Sequence, residues 1–163
     1  MPSHDYEEFI AALNDHGVRY LVVGAHAVAF HARPRATRDL DILLDPSRVN
    51  ARRVLSALRD FFGGADPGYT AEDVMDPRSI IQLGVAPIRI DLLSEIPGVP
   101  NFNAAWKNRA EARFGTVSAH YLGLEDLIRA KNKAGRLQDR ADARVLRRAK
   151  ERSRPTNRSR RRP

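Results

Sequence analysis

The sequence predicts one α/β domain, a mixed, twisted sheet flanked by helices and closed by a C-terminal helical pair. Three observations predict it. Short β-branched runs alternate with segments whose apolar residues recur at helical spacing. Two strand-like runs are separated by Ala86-Pro87 alone, which reads as a hairpin inside that alternation. The chain has 163 residues, 42% of them apolar, and no cysteine, enough for one sizeable core without disulfides or thiolate chemistry.

Each element has its own signal. In residues 5–16, DYEEFIAALNDH, Tyr6, Phe9, Ile10 and Leu13 share one helical face, and Gly17 stops the helix. Val18 to Val23 (VRYLVV) is a strand ending at Gly24, and residues 25–31 are helical up to the turn at Pro34. Arg38 to Leu44 is the next strand; Asp45-Pro46-Ser47 then opens a helix to about Phe61. Residues 63–69, GGADPGY, are loop. Ser79–Val85 and Ile88–Leu93 form the hairpin, Phe102–Ala110 a short helix and Ala112–Ala119 a last strand. Residues 125–134 and 137–150 form the helical pair, parted at Gly135.

The formal net charge is +8. Residues 147–163, RRAKERSRPTNRSRRRP, carry nine Lys/Arg and one Glu, so the rest of the chain balances at nineteen of each sign. The domain is assigned to residues 1–150 and a disordered basic tail to 151–163. That tail either contacts RNA or another polyanion through phosphates or serves as a solubilising terminus. The longest apolar run, Tyr20 to Phe30, is too short to cross a bilayer, and MPSHDYEEF lacks a signal-peptide layout. A cytoplasmic protein without a membrane partner is expected.

The chemistry concentrates in GAHAVAFHARPRATRDLDILL, residues 24–44. Asp39 and Asp41 stand two apart in an apolar strand, so both point to one face, about 6.6 Å apart at Cα. Like charges this close ask for a cation, and hard oxygen donors suit Mg²⁺ or Mn²⁺. In PIRIDLL, residues 87–93, Asp91 alternates the same way and supplies a third carboxylate if the two strands are neighbours. Three such groups can hold two metals about 3.5–4 Å apart for in-line displacement at phosphorus. Asp91 could also act as general base for an acceptor hydroxyl.

Ahead of the pair, a strand, then Gly24-Ala25, then a helix directs backbone N–H groups and a positive helix end toward a phosphate. Arg33, Arg35, Thr37 and Arg38 follow as candidates for neutralising a triphosphate. A dinucleotide-binding turn needs two further glycines that this turn lacks, and the GK[ST] phosphate loop is missing too. A metal-dependent glycosyltransferase also uses D-x-D, on a longer chain. His26 could touch phosphate or base, but it and His31 are five apart, off the three-or-four spacing of a metal pair, and read as structural. His120 receives no role.

VVGAHAVAFHARPRATRDLDILL resembles the signature of the nucleotidyltransferase superfamily, whose core is shared with DNA polymerase β. The likeness lies in a glycine-small turn opening a helix, an R-x-T segment, D-x-D and a later single Asp. It looks closest to the small prokaryotic branch holding AbiEii-type (type IV) toxins and the minimal nucleotidyltransferases of toxin–antitoxin systems. It extends through Leu124–Lys131 and Gly135–Asp139, similar to the family's K…R-x-x-D region. Ala25 stands where the family has Gly or Ser, keeping the N–H.

The resemblance implies a nucleotidyltransferase-type sheet on which Asp39, Asp41 and Asp91 hold Mg²⁺ or Mn²⁺. Gly24, Ala25, Arg35, Thr37 and Lys131 would then meet the nucleotide. Arg136, Asp139 and Asp142 read as an ion-pair cluster joining the last helices and bracing the site. The implied reaction moves a nucleoside monophosphate from an NTP such as ATP to a hydroxyl on RNA, for instance a tRNA end, or on a partner protein. A cognate toxin or antitoxin is the implied partner. The rival readings are a non-catalytic nucleotide- or partner-binding module on the same fold, and an RNA-binding protein driven by its tail.

Overall fold

The computed structural model describes residues 3–155. Its elements run α1 (His4–Asp15), β1 (Tyr20–Val23), α2 (Gly24–His31), β2 (Asp39–Leu44), α3 (Arg48–Phe61) and α4 (Ala71–Met75). Then come β3 (Ile80–Val85), β4 (Ile88–Leu93), α5 (Phe102–Lys107), β5 (Ala110–Phe114), β6 (Val117–Tyr121), α6 (Leu124–Ala134) and α7 (Leu137–Arg152). The strands form one six-stranded sheet in the order β3-β4-β2-β1-β6-β5. β1 pairs antiparallel with β2 and parallel with β6; β2 pairs parallel with β4; β3–β4 and β5–β6 are antiparallel hairpins. The mixed α/β sheet flanked by helices is the architecture the sequence predicts.

Alternation along β2 and β4 decides what the sheet buries. Leu40 and Ile42 on β2 and Ile90 and Leu92 on β4 are at most 3% exposed, whereas Asp39 and Asp41 are only half-buried on the other face. Tyr6, Phe9, Ile10 and Leu13 of α1 enter the same core, and Phe9 meets Phe61 of α3 edge-on at 5.2 Å. Each such aliphatic side chain withdrawn from water contributes about 1.5–3 kcal/mol. Two helix groups result, with α3 touching both α1 and α4, and with α2, α6 and α7 in mutual contact.

The helix ends follow local chemistry. Ser47 accepts from the Asn50 N–H at 3.2 Å and starts α3. Buried Asn50 in turn bonds both backbone groups of Arg19 and the carbonyl of Asp45, fastening α3 to the start of β1 and the end of β2. Gly135, in the left-handed region at φ 71°, ends α6.

Four details depart from the sequence reading. The last strand expected over 112–119 is a hairpin, β5 and β6, because Gly115 at φ 59° turns the chain. The helix expected over 102–110 stops at Lys107, and Ala110 already belongs to β5. Helix α4 falls just beyond the predicted loop, closed by a capping box in which Thr70 and Asp73 exchange hydrogen bonds. The tail assigned to 151–163 loses its first two residues to α7, and positions 156–163 lie outside the described residues. Four of the nine basic residues counted over 147–163, Arg147, Arg148, Lys150 and Arg152, sit on that helix. Among the described residues no helix is long and apolar enough to cross a membrane.

Candidate active site

The site is built where β1 gives way to α2. Gly24 opens the helix at φ 65°, a conformation that side chains resist. A Cβ placed on it would fall 2.2 Å from Asp41 Oδ2, so the glycine is required by space as well as by backbone conformation. The first residues of α2, Gly24 and Ala25, are half-buried, and among the described residues no side chain caps their N–H groups. Asp41 thus lies against the turn.

Strand register brings the predicted carboxylates together. In the parallel β2–β4 pair, Asp41 is the direct partner of Asp91, and Asp39 is the partner of Arg89. Asp41 also faces Val23 on β1, and Asp91 faces Gln82 on β3, so one row crosses four strands. The residue the sequence reading left unused is Arg89. Its Nη2 lies 3.2 Å from Asp39 Oδ2 and 3.4 Å from Asp91 Oδ2. Its Nε is 3.2 Å from Asp91 Oδ1, yet the two atoms are misaligned and buried without a hydrogen bond. Alternation along PIRIDLL already put Arg89 on the face of Asp91; only the register shows that it also reaches Asp39.

Negative charge is in excess here. Burial, then the neighbouring charges of Asp91 and Asp39, push the Asp41 carboxyl up from 3.8 to about 6, against the opposing pull of Lys131 and Arg89. Burial also raises Asp91, with the Arg89 charge holding it back. Oxygen-only donors, mutual repulsion and a buried Asp91 oxygen lacking a hydrogen-bond partner suit a hard divalent cation. As they stand, no three His, Cys, Asp or Glu side chains among the described residues are drawn into a chelating group. Arg89 stands among the carboxylates instead.

Beside Asp41 opens a cavity of about 230 Å³ with Leu93, Ile96 and Pro97 on one side and Leu127, Ala130 and Lys131 on the other. Lys131 is held 3.3 Å from Asp139 and 3.0 Å from Asp142. Arg136 bonds Asp139 at 2.8 Å, so the expected cluster joining α6 and α7 is present. Arg35 is turned away from the cavity, its guanidinium 2.5 Å from Asp142. Thr37 donates to the Asp39 carbonyl at the start of β2. A larger cleft, about 680 Å³, lies between Arg19 and Ser118 at the opposite end of the β1–β6 pair, away from the three carboxylates. Volume therefore does not mark the site.

The histidines have packing environments. His31 Nε2 meets the Leu122 carbonyl at 2.7 Å. His26 stands edge-on to Tyr6 at 5.7 Å and tilted on Phe114 at 5.2 Å, and burial lowers its basicity. His120 contacts Trp106 edge-on at 4.8 Å.

A six-stranded mixed sheet between helices, with D-x-D and a third aspartate registered beside it at a glycine turn, is a nucleotidyltransferase-like architecture. Over residues 2–159 the chain matches a family described as a nucleotidyl transferase of unknown function (DUF2204), and it belongs to that family. No curated protein matches it.

Proposed function

We propose that the protein transfers a nucleoside monophosphate from an NTP to an acceptor hydroxyl with release of pyrophosphate, in a metal-dependent reaction. The observation that carries this reading is the side-by-side register of Asp41 and Asp91, with Asp39 on the same face, at the mouth of the Gly24 turn. Asp39, Asp41 and Asp91 would hold Mg²⁺ or Mn²⁺, which when bound supplies charge neutralisation at the triphosphate and a more acidic acceptor hydroxyl.

The chain's own groups do the rest. Gly24 and Ala25 offer backbone N–H groups at the start of α2 to the phosphates. Lys131, with its ammonium fixed by Asp139 and Asp142 at the cavity wall, adds positive charge without having to be ordered on binding. The acceptor oxygen bonds to the α-phosphorus, the bond from that phosphorus to the bridging oxygen breaks, and pyrophosphate leaves. Asp91, buried on the strand beside Asp41, either completes the cation site or takes the hydroxyl proton. The cavity is smaller than the roughly 300–1,000 Å³ that encloses a whole small ligand, so it fits one part of a nucleotide and leaves the reacting end open to an acceptor.

The acceptor is RNA or a protein hydroxyl, in keeping with the toxin–antitoxin resemblance. Incubating the full chain with labelled NTPs, Mg²⁺ and cell extract tests the proposal. Label should appear on RNA or protein and vanish in the Asp39→Ala, Asp41→Ala double variant. Nucleotide binding without transfer in any extract would instead establish the non-catalytic module.

A further inference from the structure

Arg89 holds a position that neither fold nor packing demands. Its backbone is fixed, because Ile90 and Leu92 are buried and Tyr6 Oη donates to the Arg89 carbonyl at 3.2 Å. The side chain is 38% exposed, and its partner across the β3–β4 pair is Gly84, which places no side chain beside it. The guanidinium can therefore leave while the strand stays in register. What keeps it in place is two carboxylates, Asp39 and Asp91, met at 3.2–3.4 Å with one buried Nε left without a hydrogen bond. That is a charge contact of modest geometry.

We propose that Arg89 is a built-in counter-ion occupying the position of the divalent cation, so that metal loading and release of its guanidinium are one exchange. The inference rests on reading Asp39, Asp41 and Asp91 as the cation site. The guanidinium neutralises Asp39 and Asp91 at the mouth of the site but leaves Asp41, against Gly24, to its neighbours' repulsion. A divalent ion touching all three relieves what one guanidinium on two of them cannot. Arg89 is accordingly a positioning residue. It holds the carboxylates in place before the ion arrives, and the ion binds only by outcompeting it.

Mn²⁺ titration of the full chain, without nucleotide and at fixed salt, reads this directly by calorimetry or by the electron paramagnetic resonance of free Mn²⁺. Arg89→Gln should bind Mn²⁺ about fivefold tighter than the wild type, the gain from removing a competitor worth as much as a half-exposed ion pair can be. Arg38→Gln removes the same charge next to Asp39 from a residue with no carboxylate contact among the described residues, and should change affinity less than twofold. Arg89→Lys should stay close to wild type. Without metal, Arg89→Gln should melt below the wild type, and saturating Mn²⁺ should close that gap. Equal or weaker Mn²⁺ affinity in Arg89→Gln, with binding still abolished by Asp41→Asn, would overturn the exchange and leave the cation site standing. Absence of Mn²⁺ binding in every protein would overturn both.

Discussion

Gly24→Ala is the sharpest perturbation the structure offers. An L-residue held at φ 65° costs about 1–2 kcal/mol. The new Cβ would also sit 2.2 Å from Asp41 Oδ2 and 3.0 Å from its Cγ, so the carboxylate must move off its rotamer for about another 0.5–1.5 kcal/mol. The two terms together come to roughly 1.5–3.5 kcal/mol, or about 3–14 °C in melting temperature for a domain of this size. Gly17 supplies the control. Its φ is 64°, but nothing lies within 4 Å of an added Cβ, so Gly17→Ala carries the backbone cost alone. Unfolding free energies of the two variants from urea denaturation should differ by about 1 kcal/mol, and most of that difference should disappear when both are remade on Asp41→Ala. Gly24→Ala alone should also weaken Mn²⁺ binding. A Gly24→Ala variant no less stable than Gly17→Ala, with unchanged Mn²⁺ affinity, would refute the close approach of turn and carboxylate from which the site is built.

Two further outcomes follow from the same geometry. Burial works to raise the Asp139 carboxyl, but the Arg136 hydrogen bond and the Lys131 charge outweigh it and hold the group below its ordinary 3.8. Its contribution is therefore complete only well above the ordinary 3.8 and is lost as pH falls through the lowered value. Asp139→Asn should cost about 3 kcal/mol at neutral pH and should flatten the wild type's acid loss, measured by urea unfolding between pH 2 and 7. If the carboxylates are a cation site, millimolar Mg²⁺ or Mn²⁺ should raise the melting temperature by mass action, about 2.7 kcal/mol of added stability at a hundredfold excess over Kd. Asp39→Asn combined with Asp41→Asn should show no such rise in differential scanning fluorimetry, and an equal rise in both proteins would point to binding elsewhere.

Periodicity made the main elements legible. Tyr6, Phe9, Ile10 and Leu13 announced α1, and alternation in DLDILL and IRIDLL placed Asp39, Asp41 and Asp91 on the faces they occupy. The β5–β6 hairpin was hidden because Ala112–Ala119 scans as one run unless Gly115 is taken as a turn. Helix α4 has only 5 residues, too short for any period, though Thr70-x-x-Asp73 was its capping signal. Within the site, what escaped was pairing across space. Nothing local says that Arg89 faces Asp39, since that follows from the parallel register of β2 and β4. Nothing local turns Arg35 toward Asp142 either, a contact spanning most of the chain.

The ties among Arg35, Asp142, Lys131, Asp139 and Arg136 have a bearing on how the molecule can be cut or grafted. Helix α7 owns both aspartates on which the other three cations lean. Shortening the chain ahead of that helix would not trim a peripheral strut; it would take from Arg35 and Lys131 the aspartates that hold them. Any minimal version of the domain must accordingly keep the last helix, and any fusion partner belongs beyond Arg152.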